Sequence, residues 1–260
     1  MSDAPLQTAV PYTLLLRLAG PMQSWGTRSR FSYERDTGGE PSKSGVVGLL
    51  AAALGRTRDA PVDDLAALIM GVRIDRPGSI RVDYHTVGGA NRKGDTYGVA
   101  EVGGGRRTAV THRYYLADAS FLVGLQGDET LLRALDAALA DPVWPLSLGR
   151  RAFVPGEPIR LPDDPPVGPG LRPGTVEDTL RSYWPPASDA ATDDGRRGRP
   201  EQVTLVIDDG FDPGKPGDAL APREMRRDVP LSFDPANRLY DVRYVLIKSV
   251  PVPGTTGEAP

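Results

Sequence analysis

The start of a predicted helix carries the first group of residues whose types could do chemistry. Residues 41–45 read PSKSG, and the candidate phosphate-binding residues there are Ser42, Lys43, Ser44 and Gly45. The first N–H groups of a helix have no partner within the helix, so they attract phosphate, and a lysine adds positive charge. Serine also caps helices without any ligand. From the spacing alone, ordinary capping is the simpler interpretation.

An irregular stretch between residues 85 and 115 forms the second group, because it combines basic and aromatic side chains. Its candidate RNA-binding residues are His85, Arg92, Lys93, Arg106, Arg107 and Arg113. Two tyrosines, Tyr114 and Tyr115, follow directly. Single-stranded RNA is bound by cations that contact its phosphates and by aromatic rings that stack on its bases. A solvated loop between strands whose aromatic residues face the core would have the same composition, and the pattern alone leaves both interpretations open.

A pair of arginines in a proline-punctuated segment forms the third group. Arg150 and Arg151 follow Gly149, a few residues after Trp144. The planar guanidinium group suits bidentate contacts to a phosphate or to the carboxylates of a protein partner. A plain surface turn would also carry this sequence, so both interpretations stay open.

Metal-independent RNA cleavage is the catalytic alternative for these residue types. It would use a base such as His85 or His112 and a cation for the developing charge. The hydroxyl of Tyr114 or Tyr115 would serve as the acid. No spacing fixes these residues as a catalytic set, so we assign no catalytic residue. The chain has no cysteine and two histidines, so we expect no metal centre and no cofactor.

The charge of this 260-residue chain is unevenly distributed. The formal net charge is −3, with 19 Lys and Arg against 17 Asp and Glu in residues 1–160, and 12 against 17 in residues 161–260. Contacts to RNA are therefore expected mainly in the first part, through local clusters rather than a global basic field. The longest apolar run is far shorter than the roughly 18 residues of a membrane span, so we expect a cytoplasmic protein without membrane contacts.

The hydrophobic pattern predicts the elements that must position these groups. Strands are predicted at 12–18, within 71–87, within 111–125 around a turn at 117–118, at 201–207 and at 238–250, and helices at 44–55, 62–70 and 128–140. Asp128 is the predicted N-cap of the last helix. The order strand, helix, strands, helix in the first 150 residues is compatible with a ferredoxin-like βαββαβ fold, which RNA-recognition modules also use.

Five segments together resemble one family, the CasD proteins of type I-E CRISPR Cascade. They are LRLAGPMQSWG (16–26), PSKSGVVGLLAAALGRTRD (41–59), DYHTVGGA (83–90), THRYYLADASF (111–121) and PLSLGRRAF (145–153). They occur in the order of the family's signature blocks and at similar distances. Five ordered blocks are far more specific than any single motif.

The resemblance implies an α+β RAMP protein with a ferredoxin-like core over residues 1–160 and a protruding thumb at about 88–110. A smaller, irregular, β-rich part would occupy 161–250, and 251–260 would be a flexible tail. Its Pro/Gly-rich insertions after residue 160 are longer than usual for the family.

The resemblance also implies a role in antiviral defence. Such proteins bind the 5′ handle of the CRISPR RNA, cap the filament of CasC backbone subunits, contact the large subunit CasA, and meet target DNA indirectly through the guide hybrid. The helix start is then a phosphate site, so Lys43→Ala should weaken handle binding, whereas replacing Arg106 and Arg107 should impair assembly. Gln23 and Trp25 would contact handle bases, although a tryptophan buried in the core fits the sequence equally well.

Two functional alternatives remain beside this reading. A related branch in type I-C systems processes the repeat RNA as a metal-independent endoribonuclease. The blocks at 18–26 (LAGPMQSWG) and 83–87 (DYHTV) favour the non-catalytic type I-E branch, in which a separate subunit, CasE, cuts. The net acidity also leaves room for a protein–protein scaffold that never contacts RNA.

Overall fold

A computed structural model describes residues 10–26, 34–88, 99–100, 106–165, 168–184, 200–210 and 222–253. The helices are α1 (Lys43–Ala53), α2 (Asp63–Ala66), α3 (Glu129–Ala140) and α4 (Val176–Ser182). The strands are β1 (Tyr12–Ala19), β2 (Met22–Gln23), β3 (Glu34–Arg35), β4 (Ile69–Arg76), β5 (Ser79–Val87), β6 (Val99–Ala100), β7 (Arg106–Arg107), β8 (Ala109–Ala117), β9 (Ser120–Gly127), β10 (Leu171–Pro173), β11 (Gln202–Asp209), β12 (Arg223–Ser232) and β13 (Leu239–Pro251).

A seven-stranded antiparallel sheet, in the order β10-β1-β9-β4-β11-β13-β12, forms the centre of the molecule. Its first four strands are joined through α1, between β1 and β4, and through α3, between β9 and β10. Both helices pack into one core on one face of this sheet. The helices α1 and α3 thus form a layer on the sheet, as expected because each element must bury its apolar face.

The apolar run of β1 is explained by its central position, because it has neighbours on both sides and on both faces. Leu14, Leu16 and Leu18 belong to the core beneath α1 and α3. Leu15 points to the opposite face and belongs to a second core. Alternate residues of a strand face opposite sides, so a strand buried on both faces has a continuous apolar sequence rather than an alternating one.

Helix α4 covers the second face, and two glycines allow its close approach. Gly71 and Gly124 are register partners on β4 and β9. A Cβ atom built on either glycine would lie 2.8 Å from a side-chain atom of the helix, that of Leu180 for Gly71 and that of Val176 for Gly124. Helix α4 therefore packs on the part of the sheet where the two glycines leave room for the helix side chains. Neither α4 nor β12 was predicted from the sequence.

The strands after residue 200 continue the same sheet. β11 pairs with β4 on one side and with β13 on the other, and β12 completes the edge beyond β13. The division predicted at residue 160 is therefore not a division of the sheet. The other sequence-based elements agree in type, but the short helix predicted at 62–70 spans only Asp63–Ala66, because β4 begins at Ile69.

A second, smaller sheet projects from the first. It is built on β8, which pairs with β2 and β5 in antiparallel fashion and with β3 in parallel fashion. β5 and β8 form a long hairpin in register from Ser79–Ala117 to Val87–Ala109. At the far end of this hairpin the described chain includes the short antiparallel pair β6–β7. This hairpin carries many of the basic and aromatic residues singled out in the sequence.

Candidate nucleic-acid interface

The start of α1 is closed by groups of the chain itself. The Ser42 hydroxyl accepts a hydrogen bond from the Gly45 N–H at 3.3 Å, and the Ser44 hydroxyl oxygen lies 3.4 Å from that of Ser42. The Lys43 N–H donates to a carboxylate oxygen of Asp228 at 2.7 Å. Ser42 acts as an ordinary N-cap. The prediction of an open phosphate site at this helix start is therefore corrected, because a carboxylate of the chain holds the N–H group that an anion would use.

The Lys43 side chain belongs to a buried ion-pair network. It is 8% exposed, and its ammonium group lies 3.0 Å from the Asp208 carboxylate. Arg243 donates to Asp208 and, through Nε at 2.7 Å, to Asp228. Burial acts to lower the pKa of Arg243, but its hydrogen bonds to Asp228 and the charge of Asp208 raise it above its ordinary value. Two cations and two carboxylates thus balance each other, and no net charge is left for a ligand.

Gln23 and Trp25 are also internal. Trp25 is 1% exposed, and its indole N–H donates to the Gln23 side-chain oxygen at 3.2 Å. The Gln23 amide donates to the carbonyls of Leu18 and Ala119, at 3.1 and 2.8 Å. A Cβ atom on Gly45 would lie 2.7 Å from the Trp25 ring, so α1 packs directly on it. The expected contacts of both residues with RNA bases are corrected, because their side-chain polar groups bond to each other, to β1 and to the turn between β8 and β9, and the Trp25 ring is covered by α1.

The hairpin of β5 and β8 has two chemically different faces. Residues directly opposite each other in an antiparallel pair point to the same face, and the faces alternate along each strand. We call one the charged face, and its residues are Arg81, Asp83, His85, Thr111 and Arg113, together with Tyr115 opposite Arg81. We call the other the aromatic face, and its residues are Ile80, Val82, Tyr84, His112 and Tyr114.

The aromatic face is largely solvent-exposed. Tyr84 is 65% exposed and Val82 52% exposed. The Tyr84 and His112 rings meet edge to face, with centroids 5.7 Å apart. Alternating apolar and aromatic residues of this kind usually face a protein core, and for this reason the sequence left core packing open as an alternative. Here these side chains lie at the surface.

Arg150 reaches the small sheet from a loop that is 37 positions later in the chain than Arg113. Its guanidinium NH2 donates to the carbonyls of Tyr114 and Arg35, at 2.8 and 3.3 Å. β3 places Arg35 beside Arg113 in the parallel register. The structure therefore brings together Arg113 and Arg150, which the sequence analysis had treated as parts of two separate groups, and adds Arg35 to them.

The loop that carries Arg150 is held in place by several contacts. The Leu148 carbonyl accepts from the Ser24 N–H at 3.0 Å, and Phe153 exchanges backbone hydrogen bonds with Leu148 and Arg150 at 2.8 Å. Gly149 has φ +92°, and a Cβ atom there would lie 1.8 Å from the Ser24 carbonyl oxygen. Only glycine fits this turn, so GRR is a positioned loop rather than a plain surface turn.

The Arg150 guanidinium lies near charges of both signs. Partial burial lowers the pKa of Arg150 below its ordinary value, and the positive charge of Arg113 lowers it further. Asp83 acts in the opposite direction, Arg35 again lowers the pKa, and Asp36 raises it. The difference from the start of α1 lies in the hydrogen bonds, because Arg150 donates to main-chain carbonyls whereas Lys43 and Arg243 donate to carboxylates.

The other predicted residues are not all in one place. His85 lies on the charged face, with Nδ1 3.6 Å from the Asp83 carboxylate, and Arg151 is exposed on the GRR loop. Arg92 and Lys93 lie outside the described residues. Arg106 and Arg107 form β7, but only their backbone is described.

The two histidines lie on opposite faces of the hairpin. His85 is opposite Thr111, whereas His112 is opposite Tyr84. They therefore cannot act together as an acid–base pair in this arrangement. Among the described residues, no group of His, Asp and Glu is arranged to hold a metal ion, and no helix is long and apolar enough to cross a membrane.

Sequence reasoning missed Arg35 and Asp83. Arg35 lies in a two-residue strand, which is too short to leave a periodic pattern. Asp83 is part of a recognised strand, but its proximity to Arg150 depends on the pairing of β5 with β8 and on the later loop. A register prediction for this hairpin would have found Asp83, because it is the direct partner of Arg113.

Comparison with known proteins gives a consistent result for this α+β architecture. The family described as CRISPR-associated protein (Cas_Cas5) matches residues 13–246. The CRISPR system Cascade subunit CasD of Escherichia coli (strain K12) is 38% identical over 163 residues, which is 57% of this chain and 69% of that protein.

Two solved structures are similar over nearly the whole chain. A crystal structure of a Cas protein is 38% identical with a TM-score of 0.65, and the match covers 92% of this chain and 95% of that one. A chain in a structure of a CRISPR RNA-guided surveillance complex is 38% identical with a TM-score of 0.68, covering 94% and 92%. The chain belongs to the CRISPR-associated Cas5 family.

Proposed function

We propose that the chain is a non-catalytic subunit of a type I-E Cascade surveillance complex that binds the 5′ handle of the guide RNA. The observation that carries this proposal is the similarity to a chain of a CRISPR RNA-guided surveillance complex, at 38% identity over 94% of this chain. Such similarity over a whole chain supports a shared place in the assembly. The subunit would act in the cytoplasm, in antiviral DNA targeting.

The strand order supports a ferredoxin-like core. β10-β1-β9-β4 are all antiparallel and connected through α1 and α3, which is the order 4-1-3-2 of a βαββαβ unit when its strands are counted along the chain. Between its second and third strands, β4 and β9, the chain leaves the core to form the projecting hairpin. This excursion is where a thumb at about 88–110 would extend.

RNA binding is assigned to the projecting sheet rather than to the start of α1. His85, Arg113, Arg150 and Arg151 remain candidates for phosphate contacts, and Arg92, Lys93, Arg106 and Arg107 remain candidates on the thumb. The exposed aromatic face offers rings for stacking on unpaired bases. Cations and rings on one projecting element fit single-stranded RNA better than they fit a purely protein scaffold.

A subunit that caps the end of the backbone filament would have several partners. We infer contacts with CasC backbone subunits and with the large subunit CasA, and indirect contact with target DNA through the guide hybrid. The non-catalytic assignment is supported by the similarity to the Cascade subunit CasD of Escherichia coli.

Co-purification tests the proposal. The full chain, expressed with the other genes of its CRISPR locus, is expected to elute with one uniform small RNA and with a subunit present in several copies. The purified chain is expected to leave a repeat hairpin RNA intact, with or without divalent metal. Absence of RNA from the purified complex would refute the RNA-binding role. Specific cleavage that disappears in the His85→Ala or His112→Ala variant would replace it with the endoribonuclease function.

A further inference from the structure

We infer that Arg113 and Arg150 together form a binding site for one backbone phosphate of the guide RNA, at the junction of the charged face and the GRR loop. The inference rests on the proposed function, and specifies where on the subunit a phosphate is held. It replaces the start of α1, whose N–H group and lysine are used by Asp228 and Asp208.

Arg113 and Arg150 come from distant parts of the chain and converge at the small sheet. Arg113 lies on β8 and Arg150 on the loop after α3, and two hydrogen bonds hold the Arg150 guanidinium against the main chain of the small sheet, at Tyr114 and Arg35. The guanidinium carbon also lies 5.4 Å from the centroid of the Phe153 ring. A side chain fixed in this way loses little further entropy when it binds a ligand.

Both arginines keep N–H donors that the described chain does not use. Within the described part of the chain, Arg150 uses only its NH2 nitrogen in side-chain hydrogen bonds, and Arg113 uses only Nε, which donates to the Thr111 hydroxyl at 3.1 Å. A guanidinium group has five N–H donors in a planar fork. Each arginine therefore retains donors after it has been positioned, which a purely structural role would not require.

Arg113 is the strongest charge acting on Arg150. It acts as a like charge, as does Arg35, whereas Asp83 and Asp36 act in the opposite direction. Like charges in a partly desolvated place destabilise one another. A phosphate between Arg113 and Arg150 would remove that repulsion and accept the unused N–H groups as charge-assisted hydrogen bonds.

Two other arginines of the chain already hold carboxylates. Arg160 donates to Asp136 and Asp163, and Arg133 is paired with Glu129. The hydrogen bonds that Arg160 donates raise its pKa, whereas burial, followed by the charge of Arg113, lowers the pKa of Arg150. Among these three arginines, Arg150 is the one whose side-chain hydrogen bonds within the described residues go to carbonyls and not to a carboxylate.

The test uses the full chain and a synthetic, 5′-fluorescein-labelled copy of the small RNA that co-purifies with it. Arg113→Gln, Arg150→Gln and, as a matched control with the same charge change, the exposed helix variant Arg133→Gln are compared by fluorescence anisotropy across a salt series. We expect each of the first two variants to lose about 5- to 50-fold in affinity. The slope of log K against log salt should fall by about 0.7 for the lost phosphate contact. The Arg133→Gln variant should match the wild type.

Single methylphosphonate substitutions along the RNA locate the phosphate. Neutralising the linkage at this site should weaken binding to the wild type at least as much as either arginine variant does, and it should have a smaller further effect on Arg113→Gln and Arg150→Gln, each of which keeps one arginine at the phosphate. A wild-type chain that binds no RNA would refute the proposed function. Binding by the wild type, with unchanged affinity and salt slope in Arg113→Gln, would refute this site alone. If Arg150→Gln also lowers the melting temperature, Arg113→Gln decides, because it breaks a single side-chain hydrogen bond on a paired strand.

Discussion

The start of α1 and the charged face of the hairpin contain similar cationic groups in opposite electrostatic conditions. At α1, Lys43 and Arg243 are enclosed and balanced by Asp208 and Asp228. At the hairpin, Arg113 and the nearby Arg150 lie partly exposed, and their side chains donate to a threonine hydroxyl and to main-chain carbonyls rather than to carboxylates. Comparable residue types therefore give a structural joint in one place and an anion site in the other.

The difference shows what decides whether a basic motif binds a ligand. A helix N-terminus with a lysine attracts any anion, including a carboxylate of the same chain. Asp228 supplies such an anion from within the chain. Folding already places it at the helix start, so no second molecule has to be immobilised. At the hairpin, Asp83 and Asp36 lie near Arg150, but its side-chain hydrogen bonds within the described residues go to carbonyls, so N–H groups of Arg150 remain available to an added anion.

The largest effect is expected from removing the carboxylate that closes the helix start. Asp228→Ala would leave Arg243 buried with half of its partners and the Lys43 N–H without an acceptor. Breaking a buried ion pair from one side costs about 3 to 5 kcal/mol. The midpoint of denaturant unfolding should fall accordingly. As a control, Asp64→Ala removes the more exposed partner of Arg56 and should cost no more than about 1 kcal/mol.

Replacing Lys43 sharpens the comparison, since stability and RNA affinity should respond differently. Lys43→Met keeps the side-chain volume but leaves Asp208 with one cation fewer, so unfolding free energy should fall by about 1 to 3 kcal/mol. The affinity of the folded fraction for guide RNA should equal that of the wild type. A five-fold or larger affinity loss, at a temperature where circular dichroism shows the variant fully folded, would restore the phosphate site at α1.

The GRR turn provides a geometric test on the other side of the comparison. Gly149→Ala adds a Cβ atom where the Ser24 carbonyl lies and forces a residue with a side chain to adopt φ +92°. Local strain of this kind costs about 1 to 3 kcal/mol and displaces Arg150. RNA affinity should fall toward that of Arg150→Gln. Gly39→Ala is the matched control, because a Cβ atom there meets nothing within 4 Å. Equal affinities for both variants would mean that the loop position is irrelevant to binding.

Local patterns predicted most of the regular elements. The helix α3 is confirmed with Asp128 as its N-cap, whose carboxylate accepts from the Leu131 N–H at 2.9 Å, and the central strand β1 is confirmed from its apolar run. Strand β12 was missed because charged residues and a proline interrupt any alternation. The seven-residue helix α4 was missed because its burial depends on the glycines of the sheet rather than on its own periodicity.

The candidate site was predicted in parts, and its connections were not. Arg113 and Arg150 were both singled out, but their convergence depends on a loop that packs against β2 and the small sheet. Likewise, the neutralisation of Lys43 depends on Asp208 and Asp228, which lie 165 and 185 positions further along the chain. Residue type and local spacing carry no information about such pairings, so a basic motif predicts an anion site only when its tertiary surroundings are known.

The smallest expected effect is a gain, and it concerns the one carboxylate of the charged face. Asp83 is opposite Arg113 on the hairpin, and its charge partly offsets the positive field at Arg150. Asp83→Asn removes that charge with almost no change in shape, so phosphate should bind more tightly. Because Asp83 is half-exposed and screened by water and salt, the gain should be below about 1 kcal/mol, or about two- to five-fold in affinity at low salt. Titration of labelled guide RNA should reveal it at about 50 mM salt and lose it near 500 mM. Asp141→Asn, an exposed carboxylate that ends α3, is the control for the change in net charge. If the structural role of Asp83 dominates, its variant will bind RNA no better than Asp141→Asn, and the positive field of the hairpin is then not what attracts the phosphate.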